Sequence, residues 1–172
     1  MRPPSSITLH YDANEDRILV AINAGTADAT GYWMTRRLAL KLIQAANPYL
    51  ERMSPVLSKT PTALRSELAA MEREVALAST QKNVSPTPTG ALESASLAAE
   101  LAIELSITRK QQGFGLKFRG RKGRETTVGC SKAELQRIIH TMEREVAKAS
   151  WREGPPPAER QPSEKEPKRR AH

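Results

Sequence analysis

A single cysteine, few aromatics and no long apolar run are what the sequence lacks first. Cys130 stands alone, which excludes an internal disulfide framework and a multi-cysteine metal cluster. No stretch approaches the length of a membrane span, and the opening MRPPSSITLHYD has no apolar signal core. A soluble cytoplasmic protein with no membrane partner is therefore expected. Glycine-rich phosphate loops, dinucleotide fingerprints and EF-hand spacing are missing too. Asp12, Glu15 and Asp16 do gather in one short turn, where solvation is their default state. His10, His140 and His172 are scattered, and Cys130 has no recognisable basic or histidine partner, which favours a buried structural thiol over a nucleophile. On this inventory the sequence argues for no cofactor, no metal and no enzyme.

What is present is a pattern that occurs twice. Ile103, Leu105 and Ile107 alternate with Glu104, Ser106 and Thr108, and Phe114, Leu116 and Phe118 alternate with Gly115, Lys117 and Arg119. Period-two alternation puts the apolar set on one face. With Gln111, Gln112 and Gly113 between them, the two runs read as an antiparallel hairpin. At an offset of 96 residues, Ile7, Leu9 and Tyr11 precede the turn Ala13–Asp16, and Ile18, Val20 and Ile22 follow it. The same offset relates Ser131, Leu135, Ile138, Ile139, Met142 and Val146 to Thr35, Ala39, Leu42, Ile43, Ala46 and Leu50 without a gap. Thr35 and Ser131 are helix N-caps by type, and Glu134 completes a capping box with Ser131. Any two strand–strand–helix units share such a pattern in outline, so alignment alone does not make a repeat.

The expected fold class is α+β, with duplicated β-β-(β)-α units whose short third strands lie near 30–34 and 126–130. They would form an antiparallel sheet covered on one face by the two repeat helices. A single domain at 7–151 divides into repeat one (7–54), a helical insertion and linker (55–101) and repeat two (102–151). Residues 1–6 form a loose leader, and 152–172 a disordered basic, proline-rich tail. Pro48 should kink or end the first repeat helix. Thr60 and Pro61 signal the start of an inserted helix over 60–79, with Leu64, Leu68, Met71, Val75 and Ala78 as its stripe. Within that helix, MEREVALAS (71–79) returns as MEREVAKAS (142–150), with eight of nine residues identical. Equivalent docking surfaces would explain this, as would convergence of two Ala/Glu-rich helices. A polar linker (80–90) and a turn or two of helix (91–100) follow.

Net charge is +8, but its distribution is uneven: residues 99–150 carry 11 basic and 6 acidic groups, and residues 1–54 carry 6 and 5. Arg109, Lys110, Lys117, Arg119, Arg121, Lys122 and Arg124 follow one another with no acid among them. Such a hairpin suits phosphates, since each contact releases counterions; it also suits plain solubility. A second candidate lies at the helix starts, Thr35/Arg36/Arg37 and Ser131/Lys132. Cations there oppose the helix dipole by about 0.3–1 kcal/mol unless a bound anion, or an in-chain partner such as Asp28 or Glu125, compensates. GFGLKF (113–118) resembles the aromatic strand of the RNA-recognition motif. It is one residue short, however, and the repeat pattern assigns Phe114 and Phe118 to the core. The repeated sheet-then-helix plan resembles the PUR and Whirly nucleic-acid-binding folds in architecture alone, with no matched motif and no residues carried over. The leading expectation is a basic protein that binds nucleic acid through 109–124. The alternative is a protein-interaction or assembly module, homo-oligomeric or with another protein, docking through its helices.

Overall fold

The alternating runs form strands β1 (Ile7–Asp12), β2 (Arg17–Ile22), β3 (Thr30–Met34), β4 (Glu100–Lys110), β5 (Gly113–Gly120) and β6 (Glu125–Cys130). They appear in a computed structural model that describes residues 6–81 and 87–151. The leader at 1–5, the linker centre at 82–86 and the tail at 152–172 lie outside the described residues. The six strands make one sheet in chain order, β1 to β6. Neighbours within each three-strand meander are antiparallel, but β3 and β4 pair in parallel, Tyr32 with Glu100 and Trp33 with Leu101. The sheet is therefore mixed, not antiparallel as expected. A parallel joint needs a long crossover, and the 65 residues between β3 and β4 supply it.

Each meander is followed by a helix, α1 (Arg36–Arg52) after β3 and, later in the chain, α4 (Lys132–Lys148) after β6. Both start where their hydroxyl caps predict. Thr35 Oγ1 accepts from Leu38 N. Ser131 Oγ accepts from Glu134 N at 3.2 Å, while the Glu134 carboxylate accepts from Ser131 N at 2.8 Å. Helical periodicity then buries Ala39, Leu42, Ile43, Ala46 and Leu50 on α1, and Leu135, Ile138, Ile139, Met142 and Val146 on α4. These meet the inward side chains of all six strands in one core, Phe114 and Phe118 included. Helix α1 runs through Pro48 without ending. Pro48 is exposed, so the Gln44 carbonyl it leaves unpaired faces water.

Helix α4 leaves β6 at one edge of the sheet yet packs against β1 at the other. The sheet therefore curls around it. Glu145, 4% exposed, accepts from the outward-facing Tyr11 N at 2.8 Å and from Lys148 Nζ at 2.6 Å. A carboxylate thus occupies a backbone donor on the open edge of β1. Beyond it, Trp151 Nε1 and Tyr11 Oη both donate to Asp16 at 2.9 Å, and Arg36 donates to the Trp151 carbonyl. The end of α4 is tied in this way to the first turn and the start of α1.

The crossover contains a short 3₁₀ turn (Leu57–Lys59), α2 (Thr62–Gln81) and α3 (Thr89–Leu97). The inserted helix starts two residues after the expected cap, because the Thr60 hydroxyl closes the 3₁₀ turn by donating to Val56 O. Helix α3 lies on the opposite face of the sheet, over β2 and β3, where Ala21 pairs with Gly31. A Cβ at Gly31 would stand 2.2 Å from Ala95 O, so only glycine lets the helix come this close. Helix α2 packs on its own chain, against α4, and its buried residues there are Ala76 and Thr80, outside the apolar stripe.

Gly31→Ala should cost about 1–3 kcal/mol, read as a lower urea midpoint. Gly90 lies in α3 with nothing within 4 Å of a built Cβ, so Gly90→Ala should leave stability unchanged or raise it by about 0.5–1 kcal/mol. Equal effects from both would refute the close approach of α3.

Candidate interaction site

The basic hairpin is a cluster in sequence and a dispersed set in space. Arg109 and Lys110 end β4 at one end of the sheet, and Arg121, Lys122 and Arg124 form the β5–β6 turn at the other. The eight residues of β5 separate the two groups by about 25 Å. Between them, Lys117 and Arg119 share the outward face of β5 and meet acids from neighbouring strands. Arg119 lies across from Glu104 on β4 and Glu125 on β6, and it pairs with Glu104. Lys117 Nζ lies 2.8 Å from Glu125 Oε2. The turn itself is held by Glu100, whose side chain is 3% exposed. Its Oε2 accepts from Lys122 N at 2.7 Å, and its Oε1 faces Arg124 Nε at 3.2 Å, at an angle that makes an ion pair without a hydrogen bond. A Cβ on Gly120 would collide with this carboxylate. Lys117, Arg119 and Arg124 are thus paired in cis, while Arg109, Lys110, Arg121 and Lys122 form no ion pair among the described residues.

At the helix starts, too, two of the three cations have partners. Arg36 serves the Trp151 carbonyl. Lys132 Nζ lies 3.0 Å from Glu72 Oε2 on α2, and Ser131 is committed to its capping box. Arg37 is exposed beside the Thr35 cap. A cleft of about 430 Å³ brings Ser131 and Lys132 together with Arg109, Lys110, Gln111 and Gln112. Half of the second anion candidate and one end of the basic hairpin therefore share one rim.

The feature that sequence reasoning left undecided is the docking of α2. Two small clusters fasten it to its own chain. Glu72 accepts from Lys132 and from the Ser54 hydroxyl. Arg73 reaches Glu143 at 3.0 Å and Asn47 Oδ1 at 3.1 Å, while Asn47 Nδ2 donates to Glu143 at 3.2 Å. These polar contacts and the small residues Ala69 and Ala76 face inward, which turns the apolar stripe outward. Leu64 is 51% exposed, Met71 60% and Val75 69%, and Val56 beside them is 55% exposed. Val56, Leu68, Met71 and Val75 line a groove of about 410 Å³ walled on the other side by Lys132, Ala133 and Gln136 of α4. The stripe was plain in the sequence, but its exposure depends on which face α4 takes.

The remaining reactive groups lie apart. Desolvation, with Glu134 nearby, pushes the buried Cys130 thiol up to about 11, so about one part in a thousand is thiolate at pH 8. His10 is exposed and His140 half-buried. Asp12 accepts from Asn14 N and Glu15 N within its turn. Among the described residues no cluster of three His, Cys, Asp or Glu side chains stands in metal-binding array, and no helix is long and apolar enough to cross a membrane. Comparison with protein-family models, with curated proteins and with solved structures gives no match.

Two carboxylates tie folding to pH. Burial alone would raise the Glu72 pKa, but the Ser54 hydroxyl and the Lys132 ammonium outweigh it and hold the group below its ordinary value. The Trp151 indole N–H and the Tyr11 hydroxyl likewise hold Asp16 low. A depressed folded pKa contributes stability above the unfolded values near ~4, and that stability is lost as pH falls through the folded ones. The urea midpoint should therefore drop as pH falls from about 5 to 3. Glu72→Gln and Asp16→Asn should each flatten that drop, and an unchanged slope in both would refute the assignment.

Proposed function

We propose that this protein is a non-enzymatic interaction and assembly module that docks through the apolar face of α2. The observation that carries this reading is the outward ladder Leu64–Leu68–Met71–Val75 beside Val56. The side chains of these residues expose about 400 Å² of apolar surface, the size of the largest apolar patch on a typical monomeric protein, which is often a functional one. Burying it in a partner would contribute about 25 cal/mol per Å², a large enough gain to explain why the helix keeps such residues where solvent would favour charge.

The basic hairpin supports a second reading, nucleic-acid binding. Its support is the shared rim of Arg109, Lys110 and Lys132 around one cleft. It ranks second because three of the seven hairpin cations are neutralised by Glu100, Glu104 and Glu125, which lowers the number of phosphates the hairpin can neutralise. The wider plan, two β-β-β-α units from one duplicated ancestor, belongs to the same proposal. It is supported by helix bounds 96 residues apart at both ends, Arg36 with Lys132 and Arg52 with Lys148. Burial supports it as well: each buried position of α1 falls on a buried position of α4 at that same spacing.

An environment-sensitive apolar dye tests the first reading. The dilute wild-type chain should bind it, and Met71→Asp with Val75→Asp should abolish most of the signal without altering far-ultraviolet circular dichroism. Equal dye signals would remove the docking face from consideration. Titration of labelled single- and double-stranded DNA and RNA across a salt series tests the second. Arg109→Glu with Lys110→Glu should weaken binding about tenfold and flatten its salt slope by about two phosphates; no binding by wild type at low salt would end that reading.

A further inference from the structure

We infer that the occupant of the α2 face is a second copy of this chain, pairing α2 against α2 antiparallel across a two-fold axis; this rests on the docking reading above. The first reason is spacing. Leu64, Leu68, Met71, Val75 and Ala78 step by four, three, four and three residues, the alternation of a coiled-coil seam. A seam of this kind is complementary to itself. Antiparallel pairing sets Leu64 against Val75 of the second copy and Leu68 against Met71, so these four side chains form apolar layers, while Ala78 falls opposite Pro61, just before the helix start.

Charge supports the same orientation. Arg65 and Glu72 follow Leu64 and Met71 along one flank of the ladder. Antiparallel pairing brings Arg65 of each copy to the flank that carries Glu72 of the other, where Glu72 keeps Lys132 and Ser54 as partners in its own chain and the Arg65 Nε–H is donated to the Thr60 carbonyl, so the contact adds to those bonds and replaces none of them. A parallel pair would instead set Glu67 against Glu72. The like-charged contact of the antiparallel form, Glu67 with Glu74, lies on the other flank, where both residues are exposed and solvent screens them.

The segments outside the described residues carry little that could cover the ladder: residues 1–5 hold Met1 as their one large apolar side chain. Residues 152–172 contain no Leu, Ile, Val, Met, Phe, Tyr or Trp, and residues 82–86 contain only Val84. The segment itself is able to pack. The same nine-residue sequence in α4 buries Met142 and Val146 to 1% exposure or less. Two ladders bury about 800 Å² of apolar surface, to which the flanking side chains add, against a lower end of about 1,200 Å² for stable interfaces.

Sedimentation velocity of the full chain from about 1 to 200 µM tests this, across the concentrations where a micromolar dimer would assemble. Wild type should shift from monomer to dimer, and Val75→Asp, at an exposed position, should stay monomeric throughout. Arg109→Glu should dimerise as wild type does. Met71, but not the buried Met34 or Met142, should be oxidised by peroxide in dilute protein and protected as concentration rises. Disulfide trapping fixes the orientation, because Leu64→Cys should crosslink to Val75→Cys and not to itself. A wild type that remains monomeric overturns the second copy as occupant, and so does a dimer that persists in Val75→Asp. In both cases the dye experiment decides separately whether the docking face survives for a different partner. Self-crosslinking of Leu64→Cys overturns the antiparallel arrangement.

Discussion

The burial of α4 inside the curl of the sheet sets the position of every other element. Leu135, Ile139, Met142 and Val146 are each 1% exposed or less, and burial of side chains this size contributes about 2 kcal/mol apiece. An isolated helix of this length is marginal in water, so packing rather than propensity holds it. Because α4 contacts β1, β5 and β6, it closes the space between the sheet's two edges. Helices α1 and α2 are left its remaining flanks. The same helix also carries Glu145, a nearly buried carboxylate that would be costly without partners. It has two, the edge amide of Tyr11 and the ammonium of Lys148. Fold closure and edge protection are thus properties of one helix.

Placed beside α4, α2 shows how little a short sequence decides by itself. MEREVA occurs in both helices, yet Met142 and Val146 are core while Met71 and Val75 are exposed. The difference is position. The concave side of the sheet is already filled by α1 and α4, and α2 reaches the outer flank of α4 and, through Arg73, Asn47 of α1. There the neighbouring groups are Lys132, Glu143 and Asn47, which favour the polar and small side of α2. Its apolar side turns outward by default.

This division explains what was legible in the sequence. Strands β1, β2 and β5, both capped repeat helices and the core role of Phe114 and Phe118 follow from period and cap chemistry, which are local. The parallel joint of β3 and β4 is not local, since nothing in either strand encodes which neighbour lies beyond a long crossover. The passage of α1 through Pro48 depended on which carbonyl faced water. The docking face of α2 depended on an already folded α4. Pattern alone marked the apolar stripe without saying what covers it, and the geometry turns it outward.

The charge follows the same logic. Read along the chain, 109–124 is uninterrupted positive charge, but a strand's nearest neighbours lie across the sheet. Arg119 sits between Glu104 and Glu125, which are 15 and 6 residues away in sequence. What remains unpaired gathers at the two ends of β5: Arg109 and Lys110 at the end of β4 lie across from Phe114 and Gly113, which carry no charge, and Arg121 and Lys122 lie in the β5–β6 turn. Surplus charge at such places acts over a Debye length of about 8–10 Å and hastens encounter more than it secures a complex. The exposed ladder of α2 has the opposite character: it exerts no attraction at a distance and gains its free energy only on contact. If both surfaces are used, the turns would influence how fast an anionic or acidic partner arrives, and α2 would determine what stays bound.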